Sequence, residues 1–318
     1  LRGRSLDGAR TRREHREPVN LLLVDPTELA SDGTCTLRDR RALHVRTVLG
    51  AGVGERVRAG VVGGGIGNAE LLADDGTAIT LRLAITEPAP APLPIELVLA
   101  VPRPKVLTRV IEAAAAFGVA RIELTNAWRV DKSYLRSPRL APDALALAAR
   151  IGAEQGATTH LPAITIHHRL MALLDARWPS PPAVSLDGPA PSPSAVTLDG
   201  PRPAPSVVIL DGLRPGAPGA TLDALWSGPP AVKLVAHPGA PPIETAVPRG
   251  DGPIVLAIGP EGGWIAREVD TFIARGFAPV SLGAPILRVE TAVAAALGQL
   301  VLLQRRLPLG PLGPLGPL

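Results

Sequence analysis

"LAIGPEGGWIAREVDTFIARGFAPVSLGAPILRVETA", residues 256–292, decides the fold class. An apolar run ends in the turn Ile258-Gly259-Pro260-Glu261-Gly262-Gly263-Trp264, and an amphipathic helix follows it. A second strand then ends at Ser281-Leu282-Gly283, and Glu290-Thr291 open another helix. Strands alternating with helices argue for an α/β domain with a largely parallel sheet. In the first turn Pro260 sets the backbone, while Gly262 and Gly263 leave room for a close approach. It is not a P-loop, because Trp264 and Ile265 stand where Lys and Ser or Thr would meet phosphate and Mg²⁺. Nor is it a dinucleotide fingerprint, since the G-x-G-x-x-G spacing is missing and the turn comes late in the chain. In the second loop Arg288 and Glu290 sit among Leu, Ile and Val, where charges are costly unless they pair or meet a ligand.

Upstream the same alternation continues. "IELVLAVPR" reads as a buried strand, and "VLTRVIEAAAAFG" as a helix with Val106, Val110, Ile111 and Ala114 on one face and Gly118 at its end. The strand "VARIELTNA" follows, then the helix "PDALALAARIGAEQG" between Pro142 and Gly156, the short strand "AITIH", and after an interruption "VKLVAH" and "PIVLAIG". The interruption repeats with a period of twelve, "AVSLDGPAPSPS", "AVTLDGPRPAPS" and "VVILDGLRPGAP", and its proline content predicts an irregular insertion over 179–230.

From Val19 to about Thr86 the pattern changes to short β-type runs broken by Gly and Asp: "VNLLLVD", "ERVRAGVV", "GNAELLADDG" and "TAITLRLAI". These predict a small all-β barrel. Within it, "DRRALHVRTVLGAGVGE" alternates apolar and basic residues, and "GGGIG" at 63–67 reads as a hairpin loop. The proline-rich "EPAPAPLP", residues 87–94, marks the boundary between the two parts. A basic, solvated leader is expected over 1–18, and an unpacked low-complexity tail over 307–318.

The chain has 318 residues, 46% of them hydrophobic, which is ample for two cores. Its 33 Lys and Arg against 29 Asp and Glu permit a polyanionic partner without requiring one. A single cysteine, Cys35, rules out an internal disulfide framework and favours a reducing compartment, with the cytoplasm expected. No apolar run approaches the roughly 20 residues of a membrane span. His160, His167 and His168 lack Cys or carboxylate partners at ligand spacing, so no metal is expected. In "NAWRVDKSYLRSPRL", Arg129, Lys132, Arg136 and Arg139 are interleaved with Trp128 and Tyr134, a pairing of cations and rings that suits single-stranded or loop RNA.

The stretch "LAIGPEGGW…EVDTFIARGFAPVSLGAPILRVETAVAAAL" closely resembles the C-terminal signature of the bacterial ribosomal RNA small-subunit methyltransferase E family, the uridine-N3 methyltransferases of 16S rRNA, which are of the SPOUT class. The likeness extends more weakly over most of residues 19–304; "RALHVRTVLGAGVGERV" is similar to the family's PUA-like barrel and "KLVAHPGA" to its first knot strand. The resemblance implies a SPOUT-type trefoil-knotted parallel-sheet α/β domain over 91–306, preceded by a small PUA-like β-barrel RNA-binding domain over 19–90. It implies S-adenosyl-L-methionine held against three turns: Ala236, His237, Pro238 and Gly239; Ile258, Gly259, Pro260, Glu261, Gly262 and Gly263; Leu282, Gly283, Ile286 and Leu287, with Thr291 beside them. Arg288 then faces the substrate or the methionine carboxylate and Glu290 orients it, the two forming the catalytic pair. RNA contacts are expected at His44, Arg46, Arg103, Lys105, Arg129, Lys132, Tyr134 and Arg136. The implied partners are 16S rRNA or the small ribosomal subunit and a second copy of the chain, with neither membrane nor metal. The sequence departs from the family's pattern at Ala113 and Ala116, where a Lys and a Glu are usual, and after Glu154-Gln155, where an Arg is usual. These departures leave open a second reading, a non-catalytic or retargeted RNA-binding protein of the same fold.

Overall fold

The computed structural model describes residues 21–179, 231–248 and 252–304. The expected leader and tail, and all but the first residue of the repeat insertion, lie outside the described residues. The N-terminal part is a curled sheet of five strands: β1 (Leu22–Val24), β2 (Thr34–Leu37), β3 (Arg56–Val61), β4 (Ile66–Asp74) and β5 (Ile79–Glu87). Their order is β1-β3-β4-β5-β2; β1 runs parallel to β3 and the other pairs are antiparallel. Each of the four apolar runs contains a strand, and β2, "TCTL", is a fifth that sequence reading passed over. Leu22, Val24, Leu37, Val57, Leu71 and Ile79 converge inside the curl. Cys35 joins them, and burial pushes its thiol up to about 11, which makes it a packing residue rather than a nucleophile.

Two glycine-bearing segments of this sheet have clear physical roles. "GGGIG" spans the β3–β4 hairpin as expected; a Cβ at Gly67 would lie 2.0 Å from the Ala84 carbonyl oxygen, beside a bulge in the β4–β5 register. The segment after Asp39 is helical: α1 (Arg40–His44) continues into a π-helical turn, Val45–Leu49, which Gly50 ends at φ 64°. Its mixture of apolar and basic residues therefore has a helical period, with Ala42 and Val45 in the core and Leu43 and Val48 exposed.

The larger part consists of β6 (Leu93–Ala100), α2 (Pro104–Ala116), β7 (Val119–Thr125), α3 (Pro142–Gln155), β8 (Ala163–His167), α4 (Leu170–Arg177), β9 (Val232–Ala236), β10 (Ile254–Ile258), α5 (Ala266–Ile273), β11 (Ala278–Val280) and α6 (Val289–Gln304). Its six strands pair in parallel in the order β11-β9-β10-β6-β7-β8, as the alternation of strands and helices predicts. Central strands β6 and β10 are buried on both faces, which explains their unbroken apolar runs. Leu107, Val110 and Ile111 of α2 and Val293, Leu297 and Leu300 of α6 belong to the same core. Among the described residues no helix is long and apolar enough to cross a membrane.

Helix α3 lies unusually close to α2. A Cβ at Gly152 would fall 2.1 Å from the Glu112 carbonyl oxygen, and one at Gly156 would fall 2.1 Å from that of Ala116. Such contact needs a missing side chain on α3 and short side chains in the last turns of α2, where Ala113 to Ala116 stand. The same end of α3 in turn carries the curled sheet. Leu21 and Leu23, on the outer face of β1, pack with Val62, Ile66, Ala153 and Leu161. The Leu21 N–H donates to the Glu154 carbonyl at 2.9 Å, Arg150 pairs with Asp25, and Arg40 donates to the Glu154 carboxylate at 2.8 Å. Gly63 N–H donates to the Thr159 carbonyl, and the Thr159 hydroxyl donates to the Gly64 carbonyl.

Charge also enters the interior of the larger part. Glu96 on β6 is fully buried and pairs with Arg177 of α4 at 2.5 Å, while Glu123 on β7 meets His167 Nε2 at 2.7 Å. Burial pushes the Glu96 carboxyl above its ordinary range, and Arg177 opposes that shift.

Two outcomes follow from this packing. In a solvated helix, Gly→Ala gains about 1 kcal/mol; Gly152→Ala should instead lose about 2–3 kcal/mol in urea unfolding, because the added methyl overlaps backbone. Arg177→Met leaves Glu96 buried without its cation, a loss of about 3–5 kcal/mol at neutral pH. Because the folded-state pKa is raised, the protonated form is the one the fold favours, so this loss should shrink as unfolding is followed down through the raised Glu96 range.

Candidate functional site

The carboxyl ends of parallel strands are where α/β sheets place ligand loops. Here the loops after β9, β10 and β11 come together at that edge. Those after β9 and β11 are joined backbone to backbone: His237 N–H donates to the Val280 carbonyl at 2.9 Å, Ser281 N–H to that of Pro241 at 2.7 Å, and Ile243 N–H to that of Ser281 at 3.1 Å. Between them opens a cleft of about 470 Å³, lined by Gly239, Ala240, Pro242, Ile243, Glu244, Ser281, Leu282, Gly283, Ala284 and Gln299. Its volume falls within the usual range for small-molecule sites.

The turn after β10 closes through Gly263 N–H donating to the Pro260 carbonyl at 2.7 Å, and Gly263 takes φ 70°. Gly239, in the loop after β9, has φ 77°. A Cβ on either residue would meet nothing within 4 Å, so both turns leave open space beside their backbone. Gly259 is different: a Cβ there would be 3.0 Å from the Trp264 nitrogen, so the turn itself requires this glycine.

Three carboxyl-end loops are cross-tied around that turn. Glu261 Oε1 accepts from the Arg103 backbone N–H at 2.9 Å, in the loop after β6. Glu268 Oε2 accepts from Ile265 N–H at 2.9 Å and its Oε1 from Trp128 N–H at 2.8 Å, in the loop after β7. Arg129 donates to the Gly262 carbonyl and packs its aliphatic stem against that glycine, where a Cβ would lie 3.0 Å from Cδ.

Of the residues expected to hold the cofactor, Gly239, Leu282 and Gly283 line the cleft. Ile258 to Gly263 form the neighbouring turn, with Glu261 turned to the Arg103 backbone, while Ala236, His237 and Pro238 lead out of β9. Ile286 is 87% exposed, Leu287 is half-buried, and Thr291 is exposed on the first turn of α6. Arg288 and Glu290 do not pair: among the described residues neither side chain has a hydrogen-bond or ionic partner, and Arg288 is exposed. Sequence reading missed Gln299, whose Nε2 donates to the Leu282 carbonyl at 3.1 Å and whose Oε1 is buried without a partner. An amide in the middle of the apolar run of α6 was the available signal.

The expected RNA-contacting residues are spread over two places. His44 lines a second cleft, about 320 Å³, at the seam between the sheets with Arg40, Arg41, Glu154 and Gln155. Arg46 is held by Asp74 through contacts of 2.7–3.0 Å, which keep that carboxyl below its usual range. Arg103, Lys105, Arg129, Lys132 and Arg136 are exposed, whereas Tyr134 packs half-buried against the core. His160, His167 and His168 do not converge: His160 is half-buried in the loop before β8, and desolvation there keeps it below the usual imidazole range, His167 binds Glu123, and His168 is exposed. Among the described residues no group of three or more His, Cys, Asp or Glu is placed to hold a metal ion.

Residues 89–180 and 220–301 match the family described as RNA methyltransferase domain. The ribosomal RNA small subunit methyltransferase E of Treponema pallidum is 24% identical over 280 residues, 87% of this chain and 89% of that protein. The protein of the same name from Synechocystis sp. is 60% identical over 47 residues, only 15% of this chain and 16% of the relative. The crystal structure of the Neisseria gonorrhoeae ribosomal RNA small subunit methyltransferase E, bound to S-adenosyl methionine, superposes with a TM-score of 0.60 at 19% identity, covering 90% of this chain and 98% of that one.

Because Glu268 satisfies two backbone donors at once, Glu268→Ala should cost about 1–2 kcal/mol in urea unfolding. The same variant should speed hydrogen exchange at the Trp128 and Ile265 amides, while amides within β10 stay protected.

Proposed function

We propose, for this chain, which belongs to the RNA methyltransferase domain family, that it is an S-adenosyl-L-methionine-dependent enzyme that methylates N3 of a uridine in the 16S rRNA of the small ribosomal subunit. The observation that carries this reading is the cleft formed by the loops after β9 and β11, beside the glycine turn after β10. The fit to the cofactor rests on the open space beside the backbone at Gly239 and Gly263, and on the Gln299 Oε1 at the cleft, buried without a partner among the described residues. Gly239, Leu282 and Gly283 would hold the adenosine, with the turn Ile258 to Gly263 as the adjoining wall. In this reading the parallel sheet is a SPOUT-type trefoil knot over 91–306, and residues 19–90 are a PUA-like RNA-binding module. The protein acts in the cytoplasm as a homodimer, a second copy covering apolar residues that are exposed here, Ile286 and Leu302.

Bound S-adenosylmethionine supplies an electrophilic methyl on a sulfonium, so the protein's task is alignment and handling of charge. Uracil N3 carries a weakly acidic proton, and as it passes to solvent negative charge develops on the O2 and O4 carbonyl oxygens. Arg288, exposed on the loop that borders the cleft and without a carboxylate partner among the described residues, would stabilise that charge. Ala116, one of the departures from the family's pattern, supplies backbone against which Gly156 packs.

Incubation with labelled S-adenosylmethionine and undermethylated small subunits should incorporate methyl, and mass mapping should locate it on a uridine N3. Arg288→Ala should lower the transfer rate by about 100-fold with cofactor binding unchanged. Cofactor binding without methyl incorporation into any rRNA would instead identify a non-catalytic RNA-binding protein, and an unchanged rate in Arg288→Ala would remove that residue from the mechanism.

A further inference from the structure

We infer that Trp128 is a stacking platform for an unpaired nucleobase of the RNA substrate, held in fixed register with the donor-side turn at Gly262. The inference rests on the methyltransferase reading above and adds to it the kind of RNA structure the site accepts. Trp128 is 79% exposed, although its neighbours Ala127 and Val130 are buried at 7% and 6%. The segment therefore runs along the core and turns the indole outward.

Its backbone is not free to drift. Trp128 N–H is held by Glu268, Asn126 N–H donates to the His167 carbonyl at 3.2 Å, and Val130 N–H donates to that of Ala127 at 3.1 Å. The next residue, Arg129, spans to Gly262 in the turn after β10. An exposed ring on a rigid backbone, one residue from the wall of the donor site, is arranged to meet something that approaches the reacting centre.

Charge identifies the occupant. Arg103 reaches the same edge from the loop after β6 with its side chain 68% exposed and its Nε 4.0 Å from Glu261 Oε1, and Lys132 is exposed four residues beyond Trp128. The nearby carboxylates are occupied by N–H groups: Glu261 by Arg103, Glu268 by Trp128 and Ile265, Asp131 by Ser133 at 2.8 Å. An exposed π-face on an edge that also carries the exposed cations Arg103, Arg129 and Lys132 complements a phosphodiester strand with a splayed base. A paired duplex conceals its base faces and would leave the indole unused. Tyr134, the other ring of this stretch, packs against the core and offers less surface.

The test compares a fluorescently labelled RNA hairpin carrying an unpaired, uridine-containing loop with a fully paired duplex of the same composition, using the full chain. Wild type should prefer the hairpin; Trp128→Ala should weaken hairpin binding about tenfold or more and leave duplex binding, S-adenosylmethionine binding and the thermal midpoint unchanged. Trp128→Phe should restore most of the affinity and Trp128→Leu little of it, since stacking needs a ring. Unchanged hairpin affinity in Trp128→Ala would overturn the inference, as would full rescue by Leu or a Trp128→Ala protein that changes its oligomeric state, which would make the patch a protein contact. Absence of methyl transfer by wild type would sink the functional reading alone, because the binding comparison needs no turnover.

Discussion

The approach of α3 to α2 is the constraint on which the arrangement of the two sheets depends. With no side chain at Gly152 or Gly156, the two helix backbones are in direct contact, and nothing larger fits. Arg150, Ala153 and Glu154 are thereby carried to one end of the bundle, where they meet Asp25, Leu21 and Arg40 of the N-terminal part. Apolar contact supplies the driving force at this seam, while the ion pairs and the Leu21–Glu154 backbone bond set its register. The curled sheet is held to α3 by side-chain and backbone contacts as well as by the linker after β5.

A different device organises the candidate site. Loops at the ends of parallel strands have backbone donors that no ladder satisfies. Here Glu261 and Glu268 accept them across gaps of more than a hundred residues in sequence, and Arg129 supplies the reciprocal donor to Gly262. Charged partners make strong hydrogen bonds when partly buried. The glycine turn after β10 is thus braced from two sides, and the cleft after β9 and β11 keeps its open shape beside it.

Most elements of the larger part were legible because their periods are plain: continuous apolar runs for strands buried on both faces, helical spacing for α2, and Pro142 with Gly156 for the ends of α3. The short elements were not. β2 spans only Thr34–Leu37, and α4 starts after Arg169, whose side chain makes no capping bond to announce it. The basic segment around α1 was ambiguous because apolar and charged residues alternate in a helix that ends in a π turn. At the site, Gly239, Leu282 and Gly283 could be named from the resemblance, but Gln299 could not, since its role arises only where α6 passes the loop after β11.

The sequence by itself determined the order of the longer elements, the parallel character of the larger sheet and the turns that need glycine, because hydrophobic period and local backbone sterics act between residues close in the chain. Tertiary structure alone decided which charges meet. Arg288 and Glu290 are two residues apart and do not pair, whereas Glu268 and Trp128 lie far apart in the chain and do. It also decided that Gly152 is a packing residue rather than a weak point in a helix, because what a missing side chain permits depends on the backbone that fills its space.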